Sequence, residues 1–147
     1  MIYPLRTLVF ATLAAITPIC ATADNGGAAV DEVLVIVSSA SQQTQGMAMV
    51  LSSTMLEKGA KVNVLLCDQA GDLALKTYDA PALKPREVTP GQLLRGLLAQ
   101  GASVNVCALY LPNSKYGREE LFEGVGIAMP PQVVDQMLDS GVRTFEF

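Results

Sequence analysis

The sequence predicts an α/β protein: three layers, α/β/α, around a mostly parallel sheet of roughly five strands. Three observations carry this. Val33-Leu-Val-Ile-Val37 is an unbroken apolar run of mostly β-branched residues, the pattern of a strand buried on both faces. A helical period comes next, with Met47, Val50, Leu51, Thr54 and Met55 at i, i+3, i+4, i+7 and i+8. The same succession of strand and helix then recurs, and such alternation implies parallel strands joined by crossover helices.

Taken in order, residues 1–23 read as a cleavable signal peptide. Arg6 is the single early charge, Thr7 to Ile16 is an apolar run too short to span a bilayer, and Ala21-Thr-Ala23 supplies a small-x-small cleavage pattern before Asp24. The competing readings are a buried N-terminal helix or an uncleaved anchor; Cys20 lacks a convincing lipobox. Residues 24–31, with Asn25-Gly-Gly-Ala-Ala, form a flexible lead-in, and residues 32–147 a single domain. Its first strand is Val33–Val37, and its first helix starts at Gln43 and closes at Gly59. Val62–Leu66 is the second strand, Asp68–Lys76 a short helix or turn, and 77–88 a surface loop. Thr89-Pro-Gly-Gln92 is the sharpest local signal: a capping box with proline at the first helical position, opening a stripe of Leu93, Leu94, Leu97 and Leu98. Gly101 ends that helix, and Val104–Cys107 is the third strand. After it come a loop over Ala108–Lys115, a short helix over Tyr116–Phe122 and a weaker strand over Val125–Ala128. Pro130-Pro131 starts a last helix, with Val133, Val134, Met137 and Leu138 on one buried face and Gly141 closing it. Arg143–Phe147 is a final strand, expected at an edge.

Charge narrows the function. The whole chain carries 10 Lys/Arg and 14 Asp/Glu; without Arg6 that is nine against fourteen, or −5. An acidic chain without a basic cluster is expected not to bind nucleic acid, where phosphate neutralisation supplies most of the affinity. No second long apolar run comes after the leader, so the mature chain is expected to have no membrane partner. There are no histidines, which removes the commonest general base and metal ligand.

In parallel sheets sites form at the carboxyl ends of strands. Strand one ends at Ser38-Ser39-Ala-Ser41, strand two at Cys67-Asp68, and strand three at Cys107-Ala-Leu-Tyr110. The two cysteines of the mature chain therefore fall at one rim. A thiol there can be activated by a helix N-terminus, with Lys115 and Arg118 adding positive charge, while Asp68, Glu119 and Glu120 oppose it. Three readings stay open: reactive thiols, small buried hydrophobes, or a structural disulfide, which needs strands two and three to be neighbours. Ser38, Ser39 and Ser41 lack a histidine to activate them and read as an N-cap cluster, with Ser38 and Ser39, like Asp68, also candidates to line a pocket or support a thiolate at that rim. Tyr110, Asn113 and Tyr116 could line a pocket over the rim. The methionines read as packing residues; a soft-metal site using Cys67, Cys107 and a Met ranks last, and no metal or cofactor is expected.

The chain resembles the DsrE/DsrF-like (DsrEFH) family of sulfur-relay proteins. The resemblance is carried by Val33-Leu-Val-Ile-Val37, Gly59-Ala-Lys-Val-Asn-Val-Leu-Leu-Cys67 and above all Gly101-Ala-Ser-Val-Asn-Val-Cys107, and then by Leu121-Phe-Glu-Gly-Val-Gly-Ile-Ala128, Pro130-Pro131 and Val142-Arg-Thr-Phe145. It implies that Cys107, at the end of the third strand, carries sulfane sulfur as a persulfide; Cys67, at the same rim, is the candidate second thiol. It further implies a protein or small persulfide as sulfur donor or acceptor, and a homo-oligomer, trimeric or hexameric. With the leader, the expectation is an exported member, periplasmic or secreted. A non-catalytic binding or assembly subunit with structural cysteines is the rival.

Overall fold

The computed structural model describes residues 31–147; the leader and most of the lead-in expected over 1–30 lie outside the described residues. Five strands form one sheet: β1 (Glu32–Val37), β2 (Lys61–Leu66), β3 (Ser103–Cys107), β4 (Gly126–Ala128) and β5 (Val142–Glu146). All four pairings are parallel, in the order β4-β3-β2-β1-β5. The expected edge position of the last strand is what the sheet shows. Three helices connect the strands: α1 (Gln42–Glu57), α2 (Pro90–Ala99) and α3 (Pro130–Leu138).

Local chemistry accounts for the helix ends. Thr89 Oγ1 accepts from Gln92 N at 3.2 Å while Gln92 Oε1 accepts from Thr89 N at 2.8 Å, so the capping box is formed as its sequence implies. Ser41 caps α1 by accepting from Thr44 N. Gly59 and Gly101 take φ of +90° and +96°, the left-handed conformation that closes α1 and α2 with little steric cost.

The chain marches from β1 through β2 and β3 to β4, then returns past β1 to β5. With right-handed crossovers, α1 and α2 cover one face and α3 the other. Val33, Val35, Val37, Val62, Val64, Leu66, Val104 and Val106 supply the sheet's side of the main core, against Ala48 and Met49 of α1 and Leu94 and Leu97 of α2. Burying each such leucine contributes about 1.5–3 kcal/mol.

Three sequence expectations change. The face of α1 that is buried is Gln45, Gly46, Ala48, Met49 and Ser52, whereas Met47, Val50 and Leu51 are exposed. Ala48 and Met49 pack into the main core, Leu83 of the 77–88 loop lies over Gly46, and the buried polar groups are satisfied. Gln45 Nε2 donates to Ser39 O at 2.8 Å, and Ser52 Oγ donates to Ala48 O at 2.8 Å. On α3 no residue is buried: Val134, Met137 and Leu138 are 48%, 51% and 81% exposed. This helix lies alone over its face, and its main packing partner is the edge strand β5. Finally, the helix expected over Tyr116–Phe122 shrinks to one 3₁₀ turn, Arg118–Glu120, with Gly117 N donating to Glu120 Oε2.

Candidate functional site

Cys67 comes directly after β2, and Cys107 is the last residue of β3. The two strands are neighbours, and their register pairs Leu66 with Val106, the residues immediately before the two thiols. Leu66 and Val106 are both fully buried in the main core. Because strand side chains alternate, Cys67 and Cys107 both turn to the opposite face, side by side at the carboxyl rim. Both are half-buried and both are free thiols.

They line a cavity of about 480 Å³ with Asp68, Gln69, Asp72, Leu109, Tyr110, Asn113 and Ser114. The wall beside β2 comes from the 3₁₀ segment Asp68–Ala74, entered through Asp68 at φ +47°, a left-handed conformation that aspartate tolerates better than most residues. The wall beside β3 is Tyr110, whose hydroxyl donates to Asp72 Oδ1 at 2.6 Å. Gly71 lies under the Tyr110 ring, where an added Cβ would overlap it. Tyr110 is thus held in place from below and at its tip. Asn113 Nδ2 donates to Leu109 O at 2.8 Å and holds the adjoining loop.

The electrostatics of this cavity are acidic. Burial pushes the Cys67 thiol up to about 11, and the neighbouring Cys107 adds to the effect, as do Glu146 and Asp68. The Tyr110 hydroxyl is raised as well, by burial first and then by its bond to Asp72, so it stays a donor. No lysine or arginine is among the lining residues. The positive support expected from Lys115 and Arg118 is therefore absent from the cavity wall: Lys115 Nζ sits over the Tyr116 ring at 5.3 Å, and Arg118 opens a separate 3₁₀ turn. Nor do α-helix N-termini stand behind the thiols. The chain leaves each strand in a 3₁₀ segment, Asp68–Ala74 or Leu111–Asn113, too short for an appreciable macrodipole.

Of the residues singled out from sequence, Cys67, Asp68, Cys107, Tyr110 and Asn113 come together here. Ser38 and Ser39 do not. Their backbone N–H groups donate to Phe147 O at 2.9 and 3.4 Å, and Ser38 Oγ donates to the same oxygen at 3.5 Å. They seat the end of the chain between β1 and β5, the point where the strand order reverses and where open sheets commonly bind ligands. Tyr116 packs against the main core and does not line the cavity. Sequence reasoning missed Asp72, Gln69, Leu109 and Ser114. The Asp68/Asp72 spacing was visible, but the partner that gives Asp72 its place, Tyr110, is 38 residues away. A smaller apolar cavity of about 230 Å³ adjoins Cys107 between the sheet and α3, lined by Leu65, Ala128, Pro130, Val133 and Val134 among others. Among the described residues no group of His, Cys, Asp and Glu is arranged to hold a metal ion.

A five-stranded parallel sheet with helices on both faces makes this an α/β protein, and its fold is the one seen in YchN and MTH1491. Two solved structures share it: the YchN protein from E. coli, at TM-score 0.61 and 19% identity over 78% of this chain and 98% of that one, and MTH1491, a protein of unknown function from Methanobacterium thermoautotrophicum, at TM-score 0.63 and 12% identity over 79% and 98%. No protein-family model and no curated protein sequence matches the chain.

Proposed function

We propose that this is an exported sulfur-handling protein in which Cys107 carries sulfane sulfur as a persulfide. The observation that carries the reading is the thiol pair opening into one cavity at the carboxyl rim of a DsrE/YchN-like sheet. The Cys107 thiolate attacks the terminal sulfur of a donor persulfide R–S–SH. The donor S–S bond breaks, RS⁻ leaves, and the terminal sulfur remains as Cys107–S–SH. Attack by an acceptor thiolate on that outer sulfur passes it on and restores the Cys107 thiolate. Cys67, kept protonated by burial, does not compete for the donor. With carboxylates and no cation on the cavity wall, small oxyanions such as thiosulfate are poor donors, and a neutral or protein-borne persulfide is the better fit. Export rests on the leader pattern over 1–23, and a homo-oligomer on the resemblance to the DsrE/DsrF-like family.

The rival is a binding or assembly subunit whose cysteines form a permanent disulfide; the adjacency of β2 and β3 supports it, since their thiols are within reach of each other. Intact-mass analysis of the exported, reduced protein after exposure to a persulfide donor decides between them. The carrier reading expects a chain beginning at Asp24 and a gain of about 32 Da on Cys67→Ser that Cys107→Ser lacks. A pair that resists reduction in the folded protein, or the same gain on Cys107→Ser, overturns it.

A further inference from the structure

We propose that Cys67 is a resolving thiol: it attacks the Cys107 persulfide, releases sulfide and leaves a Cys67–Cys107 disulfide, so the site reduces persulfide sulfur as well as carrying it. This rests on the carrier reading of Cys107 and adds an activity to it.

The geometry is that of neighbouring positions on adjacent strands. Leu66 and Val106 are register partners, and the next residue on each strand is a cysteine turned to the same face. Adjacent strands lie about 4.8 Å apart, inside the roughly 4.4–6.8 Å between Cα atoms that a disulfide spans. Neighbouring positions at that spacing are within reach of a disulfide. Both sulfurs open into the same cavity, so a sulfur atom placed on Cys107 is delivered beside Cys67. The wall chemistry points the same way. A resting perthiolate wants a cation beside it, but the cavity offers Asp68 and Asp72 and no lysine or arginine, which favours passing the negative charge to a departing sulfide.

The step balances. Held beside Cys107, where proximity offsets its raised pKa, Cys67 loses its proton and its sulfur attacks Sγ of Cys107–S–SH, forming the Cys67–Cys107 bond and breaking the persulfide bond. The terminal sulfur leaves as HS⁻ and is protonated to H₂S by the proton Cys67 gives up. The sulfane sulfur is reduced by two electrons, and the two cysteine sulfurs are oxidised to the disulfide. An external dithiol reductant, by exchange at the exposed edge of the pair, restores both thiols.

The test uses reduced, desalted mature protein and an uncharged alkyl persulfide as donor, with sulfide release and non-reducing intact mass as readouts. Wild type is expected to release about one sulfide per chain beyond that seen with Cys67→Ser. It should lose about 2 Da and yield a linked Cys67–Cys107 peptide on digestion, a readout that needs no variant. Cys67→Ser, and Cys67→Ala as a check on packing, should instead retain about 32 Da on Cys107. Wild type that keeps that adduct, with Cys67 still open to alkylation, overturns the proposal and leaves the carrier reading standing. An absence of adduct on every variant, with no disulfide in wild type, overturns both.

Discussion

The two thiols share a cavity but not an environment. Cys67 is flanked by Asp68, feels the charge of Glu146, and has its proton held by burial and by Cys107. Its pKa is raised, so the neutral thiol is favoured and the thiolate accumulates only as pH approaches about 11. Alkylation of Cys67 by iodoacetamide, read by mass spectrometry, should therefore be slow at pH 8 and rise with a midpoint near 11. In Cys107→Ser the midpoint should move down, because the second and third causes disappear, but burial, the largest cause, keeps it above the ordinary thiol value. A wild-type midpoint at or below the ordinary value would show that Cys67 is not shielded in this way. Tyr110 illustrates the limit of reading single residues. Its place at the rim was visible from the end of the third strand, but its role as a wall depends on Asp72 at its tip and Gly71 beneath its ring, and no local pattern joins those positions.

At the scale of elements, the sequence made legible whatever is decided locally. The α2 capping box lies within four residues, Thr89 to Gln92, and its hydrogen bonds need nothing from the rest of the chain. The β-branched run of β1 and the glycines at 59 and 101 are local in the same sense. The orientation of α1 is not. Its apolar stripe was real, but the core selects the side bearing Ala48, Met49 and Ser52, with Leu83 of the 77–88 loop packed over Gly46, and leaves Met47, Val50 and Leu51 exposed. This choice has a measurable consequence. Ala48→Leu forces a larger, branched side chain into a packed core and should destabilise by about 1–3 kcal/mol. Leu51→Lys, on the side turned away, should stay within about 0.5 kcal/mol. Urea denaturation midpoints compare the two directly, and a larger loss for Leu51→Lys would mean that the helix is rotated from the orientation seen here.

The whole molecule is built asymmetrically, and this too was out of reach of the sequence. Strand order puts two helices on one face and leaves α3 alone on the other, with Val134, Met137 and Leu138 exposed beside the edge strand β5. Strand order also brings Cys67 and Cys107 together, and it arises from long-range pairing, not from any motif. Contiguous exposed side chains of this kind on a small acidic domain are a cost in water unless something covers them. In the proposed oligomer the covering surface is a second copy of the chain, and α3 is the element with the most to gain, since Val134, Met137 and Leu138 stay exposed in the described fold. Light scattering coupled to size exclusion should then give a trimer or hexamer for the mature protein. Leu138→Asp, at the most exposed of these positions, should shift the population toward monomer with an unchanged circular dichroism spectrum, because a buried unpaired carboxylate at an interface costs several kcal/mol whereas on a monomer surface it costs almost nothing. A wild-type monomer at micromolar concentration would remove the oligomer from the proposal. An oligomer that tolerates Leu138→Asp would move the interface away from α3, with the outward side of α1, Met47, Val50 and Leu51, as the next surface to charge.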